Sequence, residues 1–411
     1  MGKHIIEEAS RCLQCKKPLC SKGCPVSTPA NLMVAALLEG DMRKAGALLF
    51  ENNPLTAVCS LICPHERFCE GHCILGKKGA PVQVSSIEQY ISRYYLEHPQ
   101  PGRPVNGNNA KRIAIIGSGP AGITVAFIMA RQGFDVTLFE SKEKIGGVLQ
   151  YGIPDFRLPK DILEKLKEKL LGLGVKIRPN TLIGPVISID DLFRDDYKAV
   201  FIGTGVWNPK PLRLKGETLG HVHYAIHYLK NPGVYSLGPK VAVIGAGNVA
   251  MDVARTALRK GAREVTVLYR RDEADMTATK YEYEYAKVDG VRFRFYTSPE
   301  EITDQGVVCV ETQLVEGDDG RTRVEPVEGS EFLFEADSIF IAVSQAPRAN
   351  LAGLEVGKTG LIITDEDGRT TREGVFASGD VVTGAKTVAE AVSRSKRSAQ
   401  AIMDYIAGLD D

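Results

Sequence analysis

The same local pattern occurs twice in this chain, beginning at Lys111 and again at Pro239. Each copy has a short apolar segment, a glycine-rich turn, a run with helical periodicity and a second apolar segment: KRIAIIGSGPAGITVAFIMARQGFDVTLFE and PKVAVIGAGNVAMDVARTALRKGAREVTVLYRR. The order strand, turn, helix, strand is typical of a βαβ unit whose turn approaches the pyrophosphate of a dinucleotide. Two copies therefore predict two dinucleotide-binding folds in one chain.

The first copy has the full GxGxxG spacing between its strand and its helix. The first glycine permits the tight turn, the second lets the backbone approach a pyrophosphate, and the third lets the helix pack on the sheet. The pyrophosphate then lies against free N–H groups at the helix start. About 20 residues further on, an acid ends the second strand, where it can accept hydrogen bonds from ribose hydroxyls. The predicted binding residues are Gly117, Gly119, Pro120, Ala121, Gly122 and Glu140.

The second copy reads GxGxxA and lacks the acid. Aligning VTVLY with VTLFE places Tyr269 where Glu140 stands, and Arg270 and Arg271 follow. Without the acid there is no repulsion of a 2′-phosphate, and an arginine can bind that phosphate through two hydrogen bonds. This pattern favours NADPH over NADH; the alternative is a solvated basic turn, especially for Arg271, which two acids follow. The predicted coenzyme residues are Gly245, Gly247, Asn248, Ala250, Arg270 and Arg271.

Eight of the nine cysteines fall within one short segment near the start of the chain, with the spacing Cys12-x2-Cys15-x4-Cys20-x3-Cys24 and Cys59-x3-Cys63-x5-Cys69-x3-Cys73. The chain begins without an apolar signal core, so disulfides of a secreted protein are not expected. The set exceeds one four-ligand zinc site, and a Cys-Pro step recurs at iron–sulfur ligands. The pattern favours two iron–sulfur clusters over zinc and over redox dithiols. The remaining Cys309 is expected to be a buried small apolar residue.

Charge and hydropathy exclude several classes of partner. Lys and Arg total 51, the same as Asp and Glu, so the formal net charge is zero. Neither a basic nucleic-acid surface nor a polybasic membrane anchor is indicated. No apolar run is long enough to cross a bilayer. We expect a soluble, cytoplasmic protein without nucleic-acid or membrane partners.

Segments of different composition predict the domain organisation. Helical periodicity at 31–40 and 42–51 indicates that the cysteine-rich part is helical, and 98–110 reads as a Pro/Gly/Asn linker. The α/β pattern follows from Lys111. The expected domains are a helical iron–sulfur domain (1–107), the first part of a dinucleotide-binding domain (108–235), an NAD(P)H-binding domain (236–345) and the second part of the first dinucleotide-binding domain (346–411), for which the resemblance to known flavoproteins implies FAD.

Two cysteine-rich stretches, EASRCLQCKKPLCSKGCPVSTP and NPLTAVCSLICPHERFCEGHCILG, precede both glycine motifs. In this order they resemble the glutamate synthase small-subunit family over essentially the whole chain. The second stretch, which includes Cys59, is more similar to the iron–sulfur flavoprotein part of dihydropyrimidine dehydrogenase. The resemblance implies an α/β fold class: an N-terminal all-α iron–sulfur domain, followed by two nested Rossmann-like domains of the disulfide-reductase-like flavoprotein type.

Further motifs resemble those of the same flavoproteins. VFASGDVV is similar to their second FAD motif, in which an aspartate binds the ribityl chain and the next helix directs its N-terminus at the isoalloxazine ring. AVFIGTGVW resembles the strand and turn where the chain crosses between domains, and the Gly-Gly step after Ile145 resembles a loop beside the flavin. The residues implied are Gly147, Thr204, Gly205, Gly379, Asp380, Thr387 and Val388.

The resemblance also implies how the cysteines divide. One 4Fe–4S cluster would be bound by Cys12, Cys15, Cys20 and Cys73, and the other by Cys24, Cys63, Cys69 and a non-cysteine ligand matching Glu88. Gln89 remains an alternative, as does an acid on a solvated helix face; Cys59 would lie near the clusters without binding. The chain departs from the family at Thr277, where proline is usual, and at Ser395, where glycine is usual.

The implied activity is a relay in which hydride passes from NADPH (or NADH) to FAD and single electrons pass through two 4Fe–4S clusters. Hydride transfer needs no side-chain acid or base, so no catalytic residue is expected. Because the sequence ends at Asp411 without a barrel domain, we expect an electron-input subunit of a hetero-oligomer whose partner is an FMN-bearing, iron–sulfur barrel oxidoreductase or another acceptor protein. The alternatives are a stand-alone NADPH:acceptor reductase of the ferredoxin type and a zinc-stabilised interaction module fused to a flavin domain.

Overall fold

The computed structural model of the protein describes residues 2–98, 111–316 and 322–409. The chain forms two compact units, the first comprising Met1–Gln150, Asp155–Val206 and Pro347–Asp411, and the second Tyr151–Pro154 and Trp207–Ala346. All of the predicted linker at 98–110 except His98 lies outside the described residues.

The helices begin and end as follows. In chain order they are α1 (Gly2–Ser10), α2 (Leu19–Gly23), α3 (Ala30–Leu38), α4 (Met42–Asn52), α5 (Thr56–Ile62), α6 (Val84–Glu97), α7 (Pro120–Arg131), α8 (Val148–Tyr151), α9 (Asp161–Gly172), α10 (Ile189–Arg194), α11 (Ala225–Lys230), α12 (Asn248–Arg259), α13 (Lys280–Val288), α14 (Asp380–Thr383) and α15 (Val388–Ala407). Single turns of 3₁₀-helix lie at Ile74–Lys77, Pro232–Val234 and Glu273–Asp275.

The strands follow the apolar segments of the α/β part. In chain order they are β1 (Arg112–Ile116), β2 (Asp135–Phe139), β3 (Lys176–Arg178), β4 (Tyr197–Ile202), β5 (Asn208–Pro209), β6 (Val222–Tyr224), β7 (Lys240–Ile244), β8 (Glu264–Leu268), β9 (Arg292–Arg294), β10 (Thr297–Thr303), β11 (Gly306–Glu316), β12 (Thr322–Pro326), β13 (Phe332–Glu335), β14 (Ser338–Ile341), β15 (Gln345–Ala346) and β16 (Val375–Ala377).

The cysteine-rich part is helical, as predicted, and the two helices predicted at 31–40 and 42–51 correspond to α3 and α4. Asp41 caps the start of α4 with its side chain. Met33, Leu49 and Ile87, from α3, α4 and α6, are buried in one apolar core. Burial of each such side chain stabilises the fold by about 1.5–3 kcal/mol. This core holds the cysteine-bearing loops in place.

The first glycine motif lies in a parallel sheet of the first unit. In the described part of the chain this sheet has five strands in the order β16-β4-β1-β2-β3. The motif strand β1 is central, and its residues from Ile113 to Ile116 are buried. Helices α7 and α15 pack against each other beside it. Such burial on both faces explains the continuous apolar runs in the sequence.

The second unit repeats this arrangement around the second motif. Its parallel sheet, as far as the structure describes the chain, has the order β6-β14-β7-β8-β9, and β10 to β13 form a separate antiparallel sheet. The segment 207–235, which the sequence assigned to the FAD-binding part, groups with this unit because β6 pairs in parallel with β14. Cys309 lies in β11 and is fully buried, as predicted. In the residues described, no helix combines the length and apolarity that crossing a bilayer requires.

A buried ion-pair group ties the helices of the second unit together. Arg255 of α12 contacts Glu282 of α13 at 2.9 Å and Asp289 at 2.7 Å. Asp289 also contacts Arg259 at 2.6 Å. Only 8% of the Arg255 side chain is exposed, so removing it strands two carboxylates in a poorly solvated position.

We therefore predict that Arg255→Met lowers the free energy of unfolding of the second unit by about 3–5 kcal/mol. The sole tryptophan, Trp207, belongs to this unit, so its fluorescence during denaturant unfolding reports the change. The control is Lys240→Met, because the pair of Lys240 with Glu335 is exposed and its loss should have little effect. Equal stability of Arg255→Met and wild type would contradict the prediction.

Candidate functional site

The first glycine turn is built from backbone contacts that exclude side chains. Gly117 has φ +95°, and a Cβ there would lie 2.7 Å from the carbonyl oxygen of Gly203. A Cβ on Gly122 would lie 1.9 Å from the carbonyl oxygen of Gly117. A Cβ on Gly119 would have only Gly203 within reach, at 3.8 Å. Gly117 and Gly122 are thus required by the fold, whereas the space beside Gly119 is free for a ligand.

Glu140 follows β2 directly and faces this turn. Its buried carboxylate accepts the backbone N–H of Ser118 at 3.1 Å and the N–H of Lys142 at 2.8 Å, and the Ser118 hydroxyl also donates to it. The acid is therefore fixed beside the pyrophosphate turn, where a ribose is expected. The sequence analysis did not identify Ser118 as a site residue, although its position between the first two glycines of the motif could have indicated it.

Three remote segments converge on the same turn. Gly147 has φ +54°, and a Cβ there would lie 2.8 Å from the Cα of Gly119. Gly379 has φ +75°, and its Cβ would lie 3.0 Å from the Cβ of Ala121. The turn after β4 also approaches this site, because a Cβ on Gly117 would lie 3.0 Å from the Cα of Thr204. The next residue of that turn, Gly205, has φ +69°. The motifs predicted for FAD thus share one site.

The last two motif elements lie after β16. Asp380 begins α14, its carboxylate accepts the N–H of Lys386 at 3.1 Å, and burial raises its pKa to about 6. Thr387 caps α15 in a reciprocal capping box with Glu390, so α15 begins at Val388 as expected.

The serine found in place of the usual glycine in α15 fits its surroundings. The buried Ser395 hydroxyl lies 2.6 Å from that of Ser378. The serine thus joins α15 to the residue that follows β16 through a buried hydrogen bond.

The second glycine turn has the same construction. Gly245 has φ +119°, and a Cβ there would lie 2.5 Å from the carbonyl oxygen of Ala342. Asn248 accepts the N–H of Thr279 at 2.9 Å through its side-chain oxygen, and Ala250 is fully buried against the sheet. A Cβ on Gly247 would meet only the side-chain hydroxyl of Thr277, in a tight contact at 3.2 Å, and no backbone atom. This turn fits a second dinucleotide.

Hydrogen bonds place Tyr269 in the position equivalent to Glu140. The backbone N–H of Tyr269 donates to the carbonyl oxygen of Arg294 in β9, the edge strand of its sheet. In the same way, the N–H of Glu140 donates to the carbonyl oxygen of Arg178 in the edge strand β3. Arg270 then carries an exposed side chain, whereas Arg271 lies 3.8 Å from the carboxylate of Asp275. Of the two predicted arginines, Arg270 has the side chain that is open to a phosphate.

The first set of cysteines comes together from two chain segments. Burial raises the pKa of Cys12, and the neighbouring thiols of Cys15 and Cys73 raise it further. Burial likewise raises the pKa of Cys20, with Cys73 and Cys12 as neighbours. Cys12 and Cys20 are therefore neighbours of each other and of Cys73, which lies far from them in sequence, and Cys15 lies near Cys12. Four thiols in one place are a donor set that suits an iron–sulfur cluster.

The second set surrounds a single pocket, lined by Cys24, Val26, Thr28, Cys59, Cys63, His65, Phe68, Cys69, Val84, Glu88 and Ala389. A hydrogen bond with Cys59 and burial raise the pKa of Cys63 well above its ordinary value. Burial, with Glu88 nearby, also raises the pKa of Cys69. Soft thiolate donors around a mostly apolar pocket fit an iron–sulfur cluster.

Glu88 lies inside this pocket. Burial raises its pKa to about 7, and its carboxylate accepts the hydroxyl of Thr56 at 2.5 Å. The side chain is therefore not on a solvated helix face, which was one of the alternatives; its neighbour Gln89 is exposed. Among the described residues, no three His, Cys, Asp or Glu side chains converge closely enough to bind one single metal ion.

Two pocket residues are additional to the predicted ligands. Cys59, expected near the clusters, is buried in the pocket wall, and its sulfur accepts the side-chain N–H of Asn53 at 3.3 Å. The ring of His65, which the sequence did not single out, lies 3.1 Å from the carbonyl oxygen of Cys59. Its position directly after the Cys-Pro step could have indicated that His65 lies near the cluster ligands.

Comparison with known proteins agrees with these sites. Residues 111–395 match the pyridine nucleotide-disulphide oxidoreductase family, and residues 1–100 match the family of dihydropyrimidine dehydrogenase domain II, 4Fe-4S cluster. The chain is 34% identical to the NADPH glutamate synthase small chain of Escherichia coli, over 97% of this chain and 91% of that protein. The chain belongs to the glutamate synthase small-chain family. It is an NAD(P)H-dependent flavoprotein oxidoreductase with an iron–sulfur domain, as the sequence predicted.

Other relatives are longer than this chain. It is 35% identical to the oxidoreductase AegA of Escherichia coli, over 97% of this chain but 65% of that protein. It is also 35% identical to the NADP(+)-dependent formate dehydrogenase subunit beta of Moorella thermoacetica, over 94% of this chain and 60% of that protein. The family thus includes small and beta subunits of larger oxidoreductases.

Solved structures confirm the fold class. FprA from Mycobacterium tuberculosis superposes with a TM-score of 0.65, at 19% identity, over 74% of this chain and 86% of that chain. Thioredoxin reductase from Lactococcus lactis gives a TM-score of 0.55 at 26% identity, over 72% and 99% of the two chains. In this sequence, however, the only cysteine after Cys73 is the buried Cys309, so a dithiol pair beside the coenzyme is absent from the sequence.

The glycine geometry yields a prediction that separates ligand binding from folding. Gly119→Ala should leave thermal stability of the FAD-free protein unchanged but reduce bound FAD by about tenfold or more, because a methyl group enters the space for the pyrophosphate. Gly122→Ala should instead destabilise the protein, because its Cβ would meet the Gly117 carbonyl oxygen. The matched control is Gly172→Ala in α9, which has open space. Full FAD content in Gly119→Ala would contradict this placement.

Proposed function

We propose that this chain oxidises NADPH, collects the hydride on FAD and passes single electrons through two 4Fe–4S clusters to a partner subunit. The observation that carries the proposal is the composition of the first unit, in which the four FAD-type motifs and both cysteine sets fold together. A flavin bound there would lie in the same compact unit as the clusters.

The side chains of the first unit supply positioning. When bound, FAD accepts two electrons together and releases them one at a time, which couples a hydride donor to one-electron carriers. The backbone at Gly119 would receive the pyrophosphate, and Glu140 would accept the ribose hydroxyls. Asp380 would bind the ribityl chain, and the N–H groups at the start of α15, after Thr387, would face the ring and favour negative charge on it.

We assign the ligands of each cluster to one of the two cysteine sets. Cys12, Cys15, Cys20 and Cys73 would bind one cluster, and Cys24, Cys63, Cys69 and Glu88 the other. A buried carboxylate without a cation is costly, so a role as an iron ligand accounts for Glu88 in the pocket.

The proposed partner is a separate oxidoreductase subunit bearing its own redox centre, of the FMN-barrel type. The names of relatives support the existence of a partner subunit: they are a small chain of glutamate synthase and beta subunits of formate dehydrogenase and of an NADPH-Fe(3+) oxidoreductase. Co-purification from the source cell tests this directly; isolation of an active chain without any partner would favour the stand-alone reductase.

Cofactor analysis tests the proposal. Protein purified without oxygen should contain one FAD per chain and about eight iron with about eight labile sulfide, the content of two 4Fe–4S clusters. Stoichiometric zinc without labile sulfide would instead establish the interaction-module alternative.

The fourth ligand is tested by Glu88→Ala. We predict that this variant loses or converts one cluster and retains the other, so that iron content falls while one set of electron paramagnetic resonance signals persists. Glu97→Ala, at the exposed end of the same helix α6, is the control and should retain both clusters. Unchanged iron and spectra in Glu88→Ala would show that this acid binds no cluster.

Coenzyme choice depends mainly on Arg270. A charge-assisted hydrogen bond to a 2′-phosphate contributes about 1.5–3 kcal/mol, equivalent to a preference of about ten- to hundredfold. We predict that Arg270→Ala raises KM for NADPH by about that factor and leaves KM for NADH nearly unchanged. Arg271→Ala, whose side chain is engaged with Asp275, should have a smaller effect. Wild-type use of NADH as effectively as NADPH would contradict this.

A further inference from the structure

Lys396 connects the FAD-binding part of the first unit with its cysteine-rich part. It lies in α15, the helix that starts at the proposed flavin site. Its Nζ donates to the carbonyl oxygen of Asn52 at 2.9 Å and to the side-chain oxygen of the same residue at 3.0 Å. Asn52 is the last residue of α4, so the cation also lies at the negative end of a helix. The ammonium group is thereby held in one place.

The same side of α15 contacts the pocket of the second cysteine set. Ala389 lines that pocket together with Cys24, and it precedes Lys396 by seven residues. Residues seven apart, about two turns, lie on one face of a helix. Burial lowers the pKa of Lys396, and its neighbour Cys24 acts in the opposite direction, so the two side chains lie near each other. Lys396 is therefore a cation beside the pocket and outside its ligand set.

The residue that follows Asn52 in the chain is hydrogen-bonded to a cysteine of the pocket. The next residue, Asn53, donates its side-chain N–H to the sulfur of Cys59 at 3.3 Å. Cys59 lines the same pocket as the proposed ligand Cys63. The segment that holds the Lys396 ammonium group therefore adjoins the wall of this pocket.

We propose that Lys396 sets the reduction potential of the cluster bound by the Cys24 pocket. Reduction adds a negative charge to a cluster, and a nearby cation in a poorly solvated position stabilises that reduced state. Lys396 thus acts as a positioning and tuning residue, and it neither binds iron nor exchanges protons in the reaction. This inference rests on the proposed assignment of Cys24, Cys63, Cys69 and Glu88 to one cluster.

The test is a redox titration of the intact holoprotein followed by electron paramagnetic resonance. Lys396→Met should lower the midpoint potential of one cluster by about 59 mV or more, equivalent to at least a tenfold change in a one-electron equilibrium constant. The potential of the other cluster should stay unchanged. Lys396→Arg, which keeps the charge, should restore most of the wild-type potential.

Lys169→Met is the matched control. Lys169, in α9, is likewise half-buried against the cysteine-rich part, where it lies over the rings of Phe50 (4.7 Å) and Tyr95 (4.3 Å). The charged group that acts on it is Arg131. Its replacement removes a buried lysine from the same unit, and both cluster potentials should remain at their wild-type values.

The outcomes separate this inference from the proposed function. Wild-type protein with no second cluster contradicts both. Two clusters in wild type with the same potentials in Lys396→Met contradict the tuning role alone. If Lys396→Met fails to assemble the cluster, Lys396→Gln serves as the neutral, hydrogen-bonding replacement; a wild-type potential in that variant overturns the inference, and a lowered one supports it.

Discussion

The glycine-rich turn after β1 lacks side chains at the two positions where backbone oxygens approach most closely. At Gly117 the oxygen of Gly203 occupies the place of a side chain, and at Gly122 the oxygen of Gly117 does so. These contacts bring β4, α7 and the turn together and leave the space beside Gly119 open. The loops at Gly147 and Gly379 then pack against the same turn. The geometry of the whole flavin site depends on this absence of Cβ atoms.

Burial disfavours the charged thiolate form of the cysteines, so their deprotonation costs free energy. Burial raises the pKa values of Cys12, Cys20 and Cys69, and a hydrogen bond with Cys59 together with burial raises that of Cys63, so the protonated thiol is favoured at each. Cluster assembly must release their protons, and the binding free energy then contributes to the stability of the domain. Because these thiols and the flavin site belong to one unit, loss of a cluster should also affect the surroundings of the flavin.

Local patterns in the sequence predicted the turns and buried positions on which the proposed cofactor sites depend. Glycine spacing, strand ends and Cys-Pro steps are short-range signals, and they correctly indicated the turns at Gly117 and Gly245 and the buried position of Cys309. The resemblance to a family supplied the division of the cysteines. It also supplied Glu88, which the structure places inside the second pocket.

Contacts between distant segments could not be predicted in this way. Lys396 and Asn52 are 344 positions apart, and no periodicity relates them. The hydrogen bond of Ser118 to Glu140 depends on how β1 and β2 pair, and the assignment of 207–235 to the second unit depends on a strand of three residues, β6. Such a short strand has too few residues for an alternation to be recognised.

The central claim is that a two-electron donor fills one-electron centres within this chain. An anaerobic titration with NADPH, followed by flavin absorbance and electron paramagnetic resonance together, tests it most directly. Two electrons on FAD and one on each cluster require about two equivalents of NADPH, with signals of reduced clusters appearing as the flavin bleaches. Complete bleaching after about one equivalent, with no cluster signal at any stage, would contradict the account.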